Sequence, residues 1–548
     1  MNASGYMKMV TVAMLAVTAA YGQEKQADNG KKAKPLKVYI LAGQSNATGM
    51  VKTNTFAHIK MFPETAKEFE DLFDTNGAPV VLDDVYVSQW KGKPGGKLST
   101  GYGGSIKGKG GMFGPEFAFG IYMHKKLQEP FLIIKTSQGG KDLNFHFRPP
   151  SADKWIPPAG HPDLTDNEDD NAEKVGTASA KQLPKLPLPT KIDLPADWTP
   201  EKPYALKKKH MGVDGFKGSV IEKVNGVSAI YMLYGSTGKI KGDPFVQGDL
   251  ILGVDGSALG DDPIQQWRDA FYGSKAKDGD WMITITRWRK GKIETFDFDI
   301  CDTIPGGRAK LPEYLAEQKK AAIEQEKERG GYYRDMIAHV KSVLGDIKAA
   351  YPAYDEKAGY ELAGFIWFQG WNDMINQGLY PNRDKPRGYE QYSWLLEHLI
   401  RDVRKDLNAP KLPFVLGVMG VGGIDDPPKG YLGHFQQAMA APASNPEFKG
   451  TVAAVQTGKY WDPELDVLVA KTGKVREKRA ELQAQGLQGA ALEKASAEYR
   501  ATIMTPKEEE LLKNAVSEGS FHYHGSAKIM CGIGKGFAEA MRELGGKK

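Results

Sequence analysis

The sequence predicts a three-layer α/β domain built on a parallel sheet and interrupted by an inserted β-rich module. Three observations predict it. Short, unbroken apolar runs recur at "VYILA" (38–42), "FLIIKTS" (131–137), "LAGFIWFQG" (362–370), "PFVLGVMG" (413–420) and "GTVAAVQTG" (450–458), the pattern of strands buried on both faces. Helical patterns such as "GPEFAFGIYMHKKL" and "YYRDMIAHVKSVLGDIKAAY" stand between several of them, as parallel strands require. From 203 to 303 the texture changes to short strands and turns, and at 548 residues the chain exceeds what one hydrophobic core organises.

The elements follow in chain order. Lys8, the apolar run "MVTVAMLAVTAA" and the small residues around Ala20 and Gly22 form a secretory signal over 1–22, which implies a secreted or periplasmic protein. That run is short for a bilayer, so no membrane span is expected after cleavage, an uncleaved anchor being the alternative. A polar linker covers 23–36, and the first part of the α/β domain runs over 37–200, with an irregular Pro-, Lys- and Asp-rich stretch at 150–200. The β-rich insertion occupies 203–303; within it "MITITRW" alternates, turns at Arg289-Lys290-Gly291-Lys292 and alternates again, a hairpin pattern. The second part of the α/β domain covers 305–548, with a charged, Ala-rich helical insertion or lid at about 463–516.

Composition excludes some functions. The net charge of +5 comes from 73 basic and 68 acidic residues mixed along the chain, so no basic stripe is available to follow a phosphate backbone and nucleic acid is not an expected partner. Cys301 and Cys531 lie in unlike contexts, and no disulfide framework is expected.

Within the insertion, "GDLILGVDG" resembles the glycine-bounded strand and turn of PDZ domains, with Gly248 and Asp249 its most specific part, and "DDPIQQWRDAFYG" resembles the helix that follows. The resemblance implies that a partner's C-terminal peptide adds a strand beside that helix. The peptide-binding loop would fall at "DGFKGSVI" (214–221), which departs from the usual glycine-hydrophobic-glycine form; a spacer or a wall of the active site is the other reading.

The chemistry-bearing residues cluster at strand ends. "LAGQSNATG" presents Ser45 directly after the first strand: Gly43 allows a tight turn, and the next helix can lend amides to a developing negative charge. Ala47 stands where a Gly-x-Ser-x-Gly elbow has its last glycine, and Ser45 as a helix cap is the alternative. "GKGGMFGPEFAFG" offers Gly110, Gly111 and Gly114 as oxyanion donors or as a simple turn. "WFQGWND" brings Gln369, Gly370 and Asp373 to the end of the third predicted strand, and "EGSFHYHG" places His522 late in the chain, in the right order for a base. His522 and His524 lack a third ligand at suitable spacing, so no metal site is read there.

Together these blocks, with "IKTSQGGKDL" and "FHYHGSAKIMCGIGKGFAEAM", resemble the SGNH hydrolase superfamily, and within it the sialate O-acetylesterase and carbohydrate-esterase group. The resemblance covers most of 37–150 and 305–548. It implies a flavodoxin-like three-layer domain that removes acetyl groups from sugars with no metal or other cofactor. Ser45 is carried over as nucleophile, His522 as base, and the Ser45 amide, Gly114 and Gln369 as oxyanion donors. Gln44, Asn46, Gly140, Arg148 and Trp371 are the substrate-binding candidates, Arg148 for a sugar carboxylate unless it serves a structural ion pair. Relatives carry Asp three residues before the histidine; Gly519 stands there, which leaves Glu518, Asp373 or a dyad without an acid. Trp371 occupies a place where relatives often show Glu, and His524 is an alternative base. The competing expectation is a secreted scaffold that binds peptides through the PDZ-like module and carries an inactive hydrolase domain.

Overall fold

The computed structural model describes residues 34–92, 94–104, 111–164, 185–192, 306–425 and 427–546, together with 218–224, 227–232, 245–246, 248–260, 263, 266–267, 270 and 281–304. The expected signal, most of the linker at 23–36 and Gly110 lie outside the described residues, as do much of 150–200, most of the stretch 261–273 expected as the PDZ-like helix and residues 214–217 of the expected peptide-binding loop. Among the described residues no helix is long and apolar enough to cross a membrane. The chain divides into two units: Met1–Leu164 with Gly330–Val475 and Glu498–Lys548, and Thr165–Arg329 with Arg476–Ala497.

The first unit is built on a seven-stranded sheet. Its strands are β1 (Leu36–Gly43), β2 (Leu82–Gln89), β3 (Lys97–Leu98), β4 (Phe131–Ser137), β10 (Tyr360–Phe368), β11 (Phe414–Val418) and β12 (Val452–Gln456), in the order β12-β11-β10-β1-β4-β2-β3. All neighbours are parallel except β2 and β3. The five strands read from apolar runs lie in the flavodoxin order 2-1-3-4-5, and β1 is the central strand of the seven. β2 was not expected: it extends the sheet beyond β4, and its "LDDVYVSQ" has the mixed polarity of a strand near an edge.

Side-chain alternation sorts the core into two layers. Tyr39, Leu41, Ile366 and Phe368 pack with α2 (Pro115–Leu127), α9 (Pro506–Ala515) and α10 (Ala527–Gly545). Val38, Ile40, Ala42, Phe365 and Trp367 pack on the other face with α4 (Gly331–Gly345), α5 (Glu390–Asp406) and α6 (Gly430–Ala440). This is the three-layer arrangement the sequence predicts.

β1 needs glycine at its end. Gly43 has φ +144, and a Cβ there would lie 2.1 Å from the Phe368 carbonyl oxygen of β10. Gly43→Ala is therefore expected to destabilise the first unit by about 2 kcal/mol or more, read as a lower melting temperature; an unchanged value would show that the two strand ends can separate without cost.

The second unit contains an antiparallel sheet: β5 (Gly218–Val224), β6 (Val227–Met232), β7 (Leu250–Val254), β8 (Met282–Arg289) and β9 (Lys292–Asp299), in the order β9-β8-β7-β6-β5, with Ser257–Ala258 pairing to β7. The predicted hairpin is β8–β9, turning at Lys290 and Gly291, both with positive φ. Its own core includes Ile230, Ile251, Trp267, Ile283, Phe298 and Cys301. Asp249 of the Gly248-Asp249 pair is fully buried and accepts hydrogen bonds from Arg289 Nε at 2.7 Å and Val246 N at 2.9 Å. Helix α3 (Leu311–Lys327), placed by sequence in the second half of the α/β domain, groups with this unit. Helices α7 (Pro463–Ala484), α8 (Gly489–Ile503) and α9 occupy the stretch read as helical at about 463–516.

Candidate active site

β1 and β10 are adjacent where the strand order reverses, and open α/β sheets hold ligands beyond the carboxyl ends of strands at that point. Ser45 follows β1 by two residues and opens α1 (Ser45–Thr48). The capping alternative does not hold: Gln44 is the residue before the helix, and no side chain caps it. The Ser45 side chain makes no hydrogen bond among the described residues and is half-buried. Its own N–H, first in the helix, has no intrahelical partner.

Two neighbours of Ser45 connect the site. Gln44 is buried; its Oε1 accepts from Gln369 Nε2 and Gly370 N, both at 3.1 Å, and its Nε2 donates to Asn372 Oδ1 at 3.1 Å. It thus clamps the loop after β10 and is not free for substrate. Asn46 Nδ2 donates to the Phe521 carbonyl at 3.2 Å, joining the Ser45 turn to the residue before His522 across 475 positions of sequence. Asn46 Oδ1 is buried with no partner among the described residues.

The His522 loop is held from within. Tyr523 and His524 both take left-handed backbone, φ 53 and 58, which non-glycine residues adopt only where surrounding contacts enforce it. Those contacts are visible: the Tyr523 hydroxyl lies 2.6 Å from Thr457 Oγ1 and accepts Gly420 N at 2.9 Å, while His524 Nε2 lies 3.1 Å from Asp466 Oδ1 with its ring against Trp461. His524 is fully buried and committed to Asp466, which leaves His522 as the histidine at the rim. Burial lowers the His522 pKa and the Glu518 charge partly restores it, so the ring is neutral at neutral pH. Its Nδ1 has no hydrogen-bond partner among the described residues, and Glu518 Oε1 stands 4.0 Å away while accepting from Gly519 N.

Asp373 has a different task. Fully buried, it accepts from Leu143 N at 2.8 Å, Asn144 N at 3.3 Å and Gln369 Nε2 at 2.7 Å, tying the loop after β10 to the loop after β4. Burial and the nearby Asp142 carboxylate push its pKa up to about 7. None of its hydrogen bonds goes to His522.

Several expected roles change with the geometry. The Gly114 N–H donates to Glu116 Oε1 at 2.9 Å, and the Gln369 amide hydrogens are divided among Gln44, Lys141 and Asp373, so neither is free for an oxyanion. Arg148 folds into its own loop, donating to Asn144 Oδ1 at 2.8 Å and to the carbonyls of Ala152 and Asp153. Gly140 is exposed, with open space around its Cα. Trp371 is half-buried, its ring 5.9 Å from that of Phe521, which is 40% exposed and whose ring lies tilted 4.3 Å from that of His522.

Two residues were missed in the sequence. Phe521 forms this aromatic rim with Trp371. Gly139 lies against Ser45: a Cβ there would sit 3.6 Å from Ser45 Cβ, and its amide donates to no group among the described residues. The signal was the Gly139-Gly140 pair closing the strand beside β1. No cluster of three or more metal-ligating side chains exists among the described residues.

A family model described as carbohydrate esterase, sialic acid-specific acetylesterase, matches residues 320–459. The matched stretch holds β10, Gln369, Trp371 and Asp373, but neither Ser45 nor His522, and it supports a carbohydrate esterase. Among curated proteins none matches the chain. The X-ray structure of a protein from Arabidopsis thaliana aligns over 77% of this chain and 86% of its own, at 11% identity and a TM-score of 0.29. At that score the overlap bears on neither fold nor function.

Proposed function

We propose that the chain is a secreted or periplasmic carbohydrate O-acetylesterase of the SGNH type, sialate O-acetylesterase-like, working through an acetyl-serine. One observation carries the reading: the Asn46–Phe521 hydrogen bond draws the segments of Ser45 and His522 to one rim, at the switch point of the sheet. Ser45 Oγ attacks the acetyl carbonyl while His522 Nε2 takes its proton, and the tetrahedral oxyanion rests on the Ser45 and Gly139 amides. Collapse breaks the ester C–O bond, and His522 returns the proton to the leaving sugar oxygen. Water, deprotonated by His522, then releases acetate and restores Ser45. Glu518 closes on the Nδ1–H of His522 as substrate binds, since such bonds are often long in an empty site. Trp371 and Phe521 offer apolar ring faces to the sugar.

Turnover of acetylated sialic acids, hexosamines and xylan by the purified protein tests this reading; release of acetate from none of them would overturn it. The oxyanion assignment has a sharper test. Gly139→Pro, which removes the N–H, is expected to lower kcat on the order of a hundredfold or more, whereas Gly139→Ala, whose Cβ meets ordinary contacts, keeps most of it. Equal effects of the two would assign the second donor elsewhere. The β-rich unit is read as a PDZ-like module that captures a peptide C-terminus at the edge of its sheet. Retention of C-terminal peptides by the protein would support that role.

A further inference from the structure

Beneath the Ser45 turn lies an ion pair with no exposure at all. Lys135 of β4 and Glu116 of α2 are both fully buried, Nζ to Oε2 at 2.7 Å. A buried charge pair is weak as a source of stability, because removing two charges from water offsets their attraction, and apolar replacements often serve as well. Its hydrogen bonds point to another role. Lys135 Nζ donates to the Thr48 carbonyl, at the end of α1, at 2.8 Å and to the Tyr102 carbonyl at 2.7 Å. Glu116 Oε1 accepts the Gly114 amide at 2.9 Å, and Gly114 packs so closely on Gly49 that a Cβ on Gly49 would lie 2.3 Å from the Gly114 nitrogen. Gly104 N donates in turn to the Gly49 carbonyl at 2.7 Å.

We infer that Lys135 and Glu116 are positioning residues that pin the carboxyl end of α1 and so fix where Ser45 presents its hydroxyl. The inference rests on the esterase reading for its effect on rate, but the pinning itself does not. A four-residue helix has too few internal bonds to hold its shape alone, so its geometry must come from such external anchors. In β4 the ammonium sits at the register position opposite Leu41 of β1, two residues short of the strand end from which the Ser45 turn departs.

Hydrogen exchange of the wild-type protein gives the first test. The Thr48 and Gly49 amides, bonded to the Gln44 and Ser45 carbonyls, are expected to exchange as slowly as those of β1. Rapid exchange there would overturn the pinning whatever the protein's activity. The second test is the Lys135→Met/Glu116→Gln double variant, in which the amide oxygen introduced at position 116 can still accept the Gly114 N–H. Its Thr48 and Gly49 amides are expected to exchange at least tenfold faster while β1 is unchanged, and its kcat to fall ten- to a hundredfold with KM within about threefold. Glu116→Gln alone, which leaves the Lys135 ammonium buried without its counter-charge but with its two carbonyl acceptors, is expected to lower the melting temperature while exchange at 48–49 rises less than in the double variant. Faster exchange at 48–49 without a change in kcat would overturn the link to Ser45, and an inactive wild type with slow exchange would count against the esterase reading alone.

Discussion

Ser45→Ala is expected to lower turnover of an acetylated sugar by on the order of 10⁴- to 10⁶-fold, with a melting temperature within a few degrees of wild type. The two halves of that expectation come from different observations. In the proposed mechanism Ser45 is the nucleophile, and its loss removes the acyl-enzyme route and leaves only what binding and the oxyanion donors supply. Stability is spared because the Ser45 hydroxyl makes no hydrogen bond among the described residues, whereas the side chains on either side, Gln44 and Asn46, hold the loops of β10 and His522. Mass spectrometry of wild type mixed with excess ester should trap an added acetyl group on the peptide containing Ser45, and the variant should show none. Equal turnover by the two proteins would remove Ser45 from the mechanism.

The strands that carry the site were legible because burial on both faces leaves an unbroken apolar run, as in Val38–Ala42 and Phe131–Ile134. β2 was hidden because Asp83, Asp84 and Ser88 interrupt its pattern, and a run of mixed polarity carries no signal of that kind. Residue types suited to acyl transfer could be picked out, yet their hydrogen-bond partners could not. Gly114 gives its amide to a carboxylate two positions away, and Gln369 divides its hydrogens among residues up to 325 positions distant. A donor's freedom is a property of the assembled network, and only coordinates reveal it. Arg148 makes the same point: its type and its place after β4 do not reveal that it donates to the carbonyls of its own loop. Gly139 was overlooked in the opposite sense, because a second glycine in "QGG" looks like part of a turn until Ser45 is seen beside it.

His522→Ala should cost nearly as much as Ser45→Ala, and the double variant Ser45→Ala/His522→Ala no more than either alone, since the proposed base and nucleophile act as one unit. The pH dependence then separates the contributions of Glu518. In the proposed mechanism neutral imidazole is the working form, and burial holds the His522 pKa below its ordinary value of about 6.5, so kcat/KM should rise through an acid limb below that pH and level off above it. The Glu518 charge opposes burial by favouring the imidazolium; without it the pKa falls further. Glu518→Gln is therefore expected to move the acid limb to lower pH and, by loosening the ring's orientation, to lower the plateau about tenfold or more. A purely structural Glu518 would leave the limb where it is. An orienting Asp373 would predict the same immobility, and its position, hydrogen-bonded to Leu143, Asn144 and Gln369 and not to His522, argues against it. The direction in which the limb moves thus decides which carboxylate faces the base.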